Sequence, residues 1–262
     1  MFKTCKESLG TILARRELIT ILVSKELKSR YRGSALGMMW TFLNPLLLLV
    51  VYALVFSVYM RIQVENYAVF VFVGLLPWIW FSSSLTEGVN SITQSGSLIT
   101  KSMFPAEILP IVKVISNLMN YLFSLPLLFI FIIVYGVPIT ISLLWLPIVM
   151  LAQTLITVGL VYFFSTINVR FRDTQHILNN FLILWFFLCP IIYPISQVPE
   201  EYRWTFNFNP IALLTIAYQD ILIHGARPSA KVLGALLIIG FICTVIGFWT
   251  FEKNKEMFAE EI

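Results

Sequence analysis

From Val114 to Val169 the chain contains no Asp, Glu, Lys or Arg. A water-soluble domain carries about a quarter charged residues and has no place for so long an uncharged run. A bilayer does. About 20 apolar residues in a helix cross the roughly 30 Å of hydrocarbon, so this run is long enough to cross twice. Tyr135-Gly136-Val137-Pro138 divides it, because Gly and Pro end helices.

Other uncharged runs repeat the signal. Gly33 to Met60, Asn66 to Thr86 and Val232 to Phe251 lack Asp, Glu, Lys and Arg, and Thr174 to Pro199 carries only His176. Six helical spans follow, at about 35–60, 66–90, 107–135, 141–167, 174–194 and 231–251. Composition agrees: 58% of the 262 residues are hydrophobic and 12% charged, with a mean hydropathy of +0.85. The expected fold class is an all-α integral membrane protein with six transmembrane helices, an N-terminal amphipathic interface helix and short re-entrant helices on the outer side. Residues 1–32 form the interface segment, 33–252 the membrane domain and 253–262 a tail.

Lys and Arg set the orientation, since cytoplasmic loops carry their excess. Lys3, Lys6, Arg15, Arg16, Lys25, Lys28, Arg30 and Arg32 precede the first span. Lys101, Arg170, Arg172, Lys253 and Lys255 fall on the same side, against Arg61, Arg203, Arg227 and Lys231 on the other. Both termini are therefore expected in the cytoplasm. No cleavable leader is expected either, because Arg15, Arg16, Glu17, Lys25 and Lys28 interrupt the first segment. Within residues 9–32, Ile12, Ile19, Val23 and Leu27 recur at helical spacing among basic residues, the pattern of a helix lying on a leaflet, touching a cytoplasmic partner, or both. Residues 195–230 are rich in aromatics, including Tyr202, Trp204, Phe206 and Phe208. Their apolar stretches are too short to span, so short helices dipping into the outer leaflet are expected.

No residues assemble a reaction centre. The nearest approach to a phosphate-binding loop, Ser95 to Ser102, has Thr100 where the second Gly must stand and Gly96 one place off. Cys5, Cys189 and Cys243 form no CxxC pair, and His176 and His224 stand alone. No catalytic residue, metal or cofactor is expected in this chain, and no nucleic-acid partner.

Polar groups inside spans are costly and mark either interhelical bonds or a substrate path. Lys113, Asn117, Asn120 and Ser124, at i, i+4, i+7 and i+11, share one face of the third span. Thr154, Thr157, Ser165 and Asn168 repeat this weakly in the fourth. Tyr52, Phe56 and Tyr59 share a face of the first span, and Tyr67, Phe70, Trp78 and Phe81 one of the second. Such rings pack or anchor the helix, or offer a surface on which sugar C–H faces slide. Gly33 and Gly37 make a GxxxG at the start of the first span, which would allow close helix approach.

The run Arg30-Tyr31-Arg32-Gly33-Ser34-Ala35-Leu36-Gly37-Met38-Met39-Trp40-Thr41-Phe42-Leu43-Asn44-Pro45-Leu46 resembles the approach to the first span in type-2 ABC exporter permeases (ABC-2 type), in particular the polysaccharide and O-antigen export branch, with teichoic-acid permeases as near relatives. Lys101-Ser102-Met103-Phe104-Pro105-Ala106-Glu107-Ile108-Leu109-Pro110, Val169 to Thr174, and Pro190 to Pro194 with Asn209-Pro210 are similar to later segments of that family, in order, over about residues 15–252.

The resemblance implies a homodimer in the bacterial cytoplasmic membrane, paired with two copies of a separately encoded nucleotide-binding subunit that holds ATP and Mg²⁺. It implies a lipid-linked glycan cargo. It also implies a coupling helix at about 94–104, with Ser97, Leu98, Ile99, Thr100, Lys101, Met103, Phe104 and Pro105 against the ATPase. Ile99, Met103 and Phe104 are apolar on a cytoplasmic loop, where a partner pocket or the leaflet surface would bury them. A glycan path would use Tyr52, Phe56, Tyr59, Lys113, Asn117, Asn120 and Ser124. Alternatives are export of small lipophilic molecules, a membrane transferase acting on lipid-linked sugars through Glu87, Glu107 or His176, and a passive channel.

Overall fold

The computed structural model describes residues 10, 14–30, 32–96 and 104–261, and these form helices and turns with no strand. Helix α1 is Arg16–Arg30. The next four are α2, Trp40–Tyr52; α3, Tyr67–Gly88; α4, Ile108–Val134; and α5, Leu146–Arg170. They are followed by α6, Thr174–Phe187; α7, Pro210–Leu222; and α8, Ala230–Asn254. Backbone groups in hydrocarbon must be satisfied within the segment, which is why uncharged runs of this length fold as helices.

Among the described residues, five helical stretches are long and apolar enough to cross a membrane: Gly37–Tyr59, Tyr67–Gly88, Ile108–Val134, Ile141–Arg170 and Ala230–Met257. The fifth expected span, 174–194, is different. Its helix α6 has 14 residues and stops at Phe187, giving about 21 Å of length against the roughly 30 Å of a bilayer core. Pro190 and Pro194 follow and bar continuation. The chain turns there, runs through a 3₁₀ segment at Glu200–Phe208, and starts α7 beside the end of α6. Asn209 fixes that start. Its Oδ1 accepts from the backbone of Ile211 at 3.1 Å and Ala212 at 3.2 Å and from the Trp185 indole at 2.9 Å, and its Nδ2 donates to the Leu188 carbonyl at 3.1 Å. One side chain thus caps α7 and pins it to α6.

The first span is not α-helical throughout. Ala53–Tyr59 is wound as a π-helix, with Met60 N–H bonded back to Val55. An i→i+5 turn holds more residues than an α turn, so the expected common face of Tyr52, Phe56 and Tyr59 breaks. Tyr52 and Phe56 are half-buried, whereas Tyr59 is 70% exposed.

Helix α3 is the axis of the bundle and the most buried span, packing against α4, α5, α7, α2 and α6. Helices α5 and α8 form the tightest pair. A Cβ added at Gly247 would lie 2.1 Å from the Gly159 carbonyl oxygen, and one at Gly159 would lie 2.2 Å from the Cys243 carbonyl carbon. Thr244 Oγ1 ties the same pair by donating to the Leu155 carbonyl at 2.8 Å. The Gly33 and Gly37 pair plays no such part. Both lie before α2 at positive φ, +81° and +50°, and a Cβ at either would meet nothing within 4 Å. They serve a turn, and close helix contact falls to Gly159 and Gly247 instead.

Candidate functional site

Two features stand out where α1 meets the bundle. The first is an ionic seam. Ile19 and Val23 of α1 are buried, and α1 packs along α4, so its apolar edge rests on the protein itself. Beyond that edge, Lys113 Nζ lies 2.5 Å from Glu26 Oε1. One turn further, Arg30 Nη2 contacts both oxygens of Glu87 at 2.8 and 2.6 Å, and its Nη1 donates to Asn117 Oδ1 at 3.0 Å. Asn117 Nδ2 returns a bond to Glu87 Oε2 at 3.0 Å. The charged side chains are 19–31% exposed, so these contacts are partly shielded from water. Both contacts to Glu87 come from the one nitrogen Nη2, and such charge-assisted bonds are shorter and stronger than neutral ones.

Lys113 and Asn117, expected on a substrate path, each bond a residue of α1, and Asn117 also lines the cleft described next. Glu87, weighed above as an acid in a membrane transferase, is neutralised by Arg30. The basic residues Lys25, Lys28 and Arg32 lie on the other side of α1, around a shallow surface that includes Ile21 and Ser24.

The second feature is a cleft of about 360 Å³ between the start of the first span, α3 and α4. Asn120 and Ser124 border it together with Trp40, Asn44, Trp80 and Ser83. Ser124 Oγ donates to the Asn120 carbonyl at 2.9 Å, and the Trp40 indole donates to Ser34 Oγ at 3.0 Å. Trp80 stacks on Tyr121 with ring centroids 5.2 Å apart and an interplanar angle of 20°. Trp80 Nε1 and Asn120 Oδ1 are buried and have no hydrogen-bond partner among the described residues.

The remaining candidates scatter. Tyr52 stacks on Phe186 of α6 at 5.5 Å and lies 6.3 Å from Phe56, so these rings join the first span to α6. Of the expected coupling residues, Ser97, Leu98, Ile99, Thr100, Lys101 and Met103 lie outside the described residues. Phe104 is half-buried against the chain's own apolar core, and Pro105 is half-buried. Close to that segment, Asn168 Nδ2 donates to the Val89 carbonyl at 3.1 Å and to Asn90 Oδ1 at 3.2 Å, while its Oδ1 accepts from Gln175 N–H at 3.3 Å. The ends of α3, α5 and α6 are thus cross-braced. Glu26, Arg30, Trp80 and Asn90 were not identifiable from local sequence. Each acquires its role from a partner in a distant segment.

The profile of the ABC-2 type transporter family matches residues 17–223. The chain is 43% identical over 249 residues to the O-antigen export system permease protein RfbA of Myxococcus xanthus, covering 94% of this chain and 96% of that one. It is 34% identical over 245 residues to a protein of the same name from Klebsiella pneumoniae, covering 93% and 94%. The polysialic acid transport protein KpsM of Escherichia coli is 21% identical over 242 residues, covering 91% and 93%. With the family profile spanning most of its length and its helices apolar enough to cross a membrane repeatedly, the chain belongs to the ABC-2 type transporter family as a multi-pass membrane transport component.

Proposed function

We propose that this chain is the permease of an ATP-driven exporter that moves a lipid-linked polysaccharide of O-antigen type across the bacterial cytoplasmic membrane. The observation that carries this reading is the 43% identity to an O-antigen export permease over 94% of the chain. The chain supplies the membrane path, and separate ATPase subunits supply the energy.

In this reading α6 and the non-helical residues that follow it to Pro194 together make the sixth crossing, and both termini lie in the cytoplasm, as the Lys and Arg distribution favours. The chain works as a homodimer bound to two ATPase subunits. The segment at about 94–104 and the basic side of α1 face those subunits. A rigid-body movement of the ATPase pair then reaches α3 and α4 through the ionic seam, which ties α1 to both helices. The 3₁₀ segment and α7 form a re-entrant hairpin at the outer end, since 13 residues give about 20 Å of helix and cannot cross alone. The outward apolar side chains of the first span and α6, such as Val51, Leu54, Ile183 and Leu184, are 44–63% exposed. They are available to the second copy and to lipid, and the aromatic rings of Tyr52, Phe56 and Tyr59 stand near that boundary.

The test is complementation. In cells that make the glycan and the partner ATPase but lack this permease, its expression should restore surface glycan and clear the lipid-linked intermediate from the inner leaflet. Persistent intracellular glycan, with purified complex stimulated only by small lipophilic compounds, would assign it a different cargo. A thiol placed at position 101 should react with impermeant reagents only after the cells are opened.

A further inference from the structure

We infer that the cleft between the first span, α3 and α4 of a single protomer is a binding site for a neutral, hydroxyl-rich group, and that its occupant is one sugar residue of the cargo glycan. The inference rests on the export reading above, but its observations are separate from it.

Three properties of the cleft lead to this ligand class. The first is the pair of unpartnered polar atoms. Trp80 is 1% exposed, and its indole Nε1 is a donor with nothing to donate to, while Asn120 Oδ1 is an acceptor with nothing to accept from. Buried polar groups are almost always hydrogen-bonded, so these two atoms, on residues that line the cleft together with the likewise unpartnered Tyr121 hydroxyl, match a ligand that offers both a donor and an acceptor. A hydroxyl does so in a single group.

The second property is charge. The only cation lining the cleft, Arg30, is matched by Glu87 through two contacts of 2.8 and 2.6 Å. The lining then has no uncompensated charge among the described residues, which disfavours a phosphate or carboxylate and suits a neutral ligand. Asn44, Ser83 and Ser124 add amide and hydroxyl groups to the wall.

The third is shape. The walls pair these polar groups with the indole of Trp40 and the partly exposed Ile79. Sugars present just this division, with hydroxyls at the edge and C–H groups on the face. A volume of about 360 Å³ lies at the low end of pockets that hold small molecules, which fits one ring rather than a chain. Along α4 the cleft runs from Asn117, where Arg30 of α1 meets it, to Ser124, seven residues or about 10 Å. A sugar held there would sit inside one subunit and off the path at a subunit boundary, as a waiting position.

The experiment places a small diazirine-bearing amino acid at position 44 in the cleft, at position 59 on the exposed end of the first span, or at position 246 on the exposed side of α8. It uses the full chain with its ATPase, in cells that make the lipid-linked glycan. Light should produce a glycan adduct at 44 and none at 246, and the adduct at 44 should vanish in cells that cannot make the glycan. Trp80→Phe with Asn120→Leu keeps the ring and the volume but removes both polar atoms. At about five-fold per lost neutral hydrogen bond, it should weaken labelling at 44 by at least that factor while leaving detergent-extracted protein monodisperse.

A glycan adduct at 59 but not at 44 overturns the cleft site and leaves the export reading intact. Phospholipid as the product at 44, with or without the glycan, makes it a lipid-headgroup site and overturns the inference. Undiminished labelling in the double variant overturns it as well. The export reading itself falls if no position labels glycan and deletion of the chain leaves surface glycan unchanged.

Discussion

Glu87, at the end of α3, and Arg30, the last residue of α1, meet through two bonds of 2.8 and 2.6 Å although 57 positions separate them in the chain. With Glu26 and Lys113 at 2.5 Å, this contact makes the N-terminal helix part of the bundle and not a loose anchor.

Breaking the seam should therefore damage transmission as well as stability. Arg30→Glu sets two carboxylates against each other at a partly shielded site and should cost about 1–3 kcal/mol, with export reduced at least ten-fold. Arg30→Glu combined with Glu87→Arg should recover part of both. Surface glycan and thermal unfolding of the extracted protein measure the two effects. If the exchange recovers neither, the contact does not act as a pair.

Gly247→Ala places a methyl group 2.1 Å from the Gly159 carbonyl oxygen. Overpacking of this kind costs about 1–3 kcal/mol or more, so folded protein should fall sharply when followed by fluorescence-detected gel filtration. Gly234→Ala lies in the same helix with nothing within 4 Å. It should be neutral, or stabilising by about 0.5–1 kcal/mol, because Gly weakens a helix interior.

Tyr52→Ala and Tyr59→Ala should separate. Tyr52 stacks on Phe186, so its loss should lower the melting temperature and loosen the first span from α6. Tyr59 is 70% exposed, and its loss should leave the melting temperature within a degree or two. A fall in glycan passage with Tyr59→Ala at unchanged stability would mark that ring as part of the path.

At the coupling segment, Met103→Asp should leave membrane insertion normal and ATP turnover measurable while export per ATP falls about ten-fold or more. Phe104→Ala should do the same and also lower stability by about 1–3 kcal/mol, because the ring is half-buried against the chain's own core. Export per ATP hydrolysed, in vesicles containing the complete exporter, distinguishes uncoupling from misfolding. Normal export by both variants would remove the coupling role.

The helices were legible because hydrocarbon imposes a simple rule, that uncharged chain in a membrane must be helical. The same rule is blind inside a run. Thr174 to Pro194 stays apolar through Phe187, Cys189 and Pro190, so hydropathy does not locate the early stop of α6. It also cannot register the π winding at Ala53–Tyr59, which keeps the composition of a span and alters only its facing. The face of Lys113, Asn117, Asn120 and Ser124 was readable from spacing, but its partners were not. Glu26 and Arg30 come from a different helix, and spacing speaks only for one helix at a time. The glycine contact was mislocated for a related reason. GxxxG at Gly33 is a local string, whereas the contact that forms joins Gly159 to Gly247 across the bundle.

The seam has an electrical consequence. Lys113 and Arg30 each travel with a carboxylate, so the four charged groups of the seam move together without net charge. The membrane potential acts on net charge alone, at about 2.3 kcal/mol per elementary charge per 100 mV. At this joint it has nothing to pull on. De-energising the membrane should leave this joint unchanged.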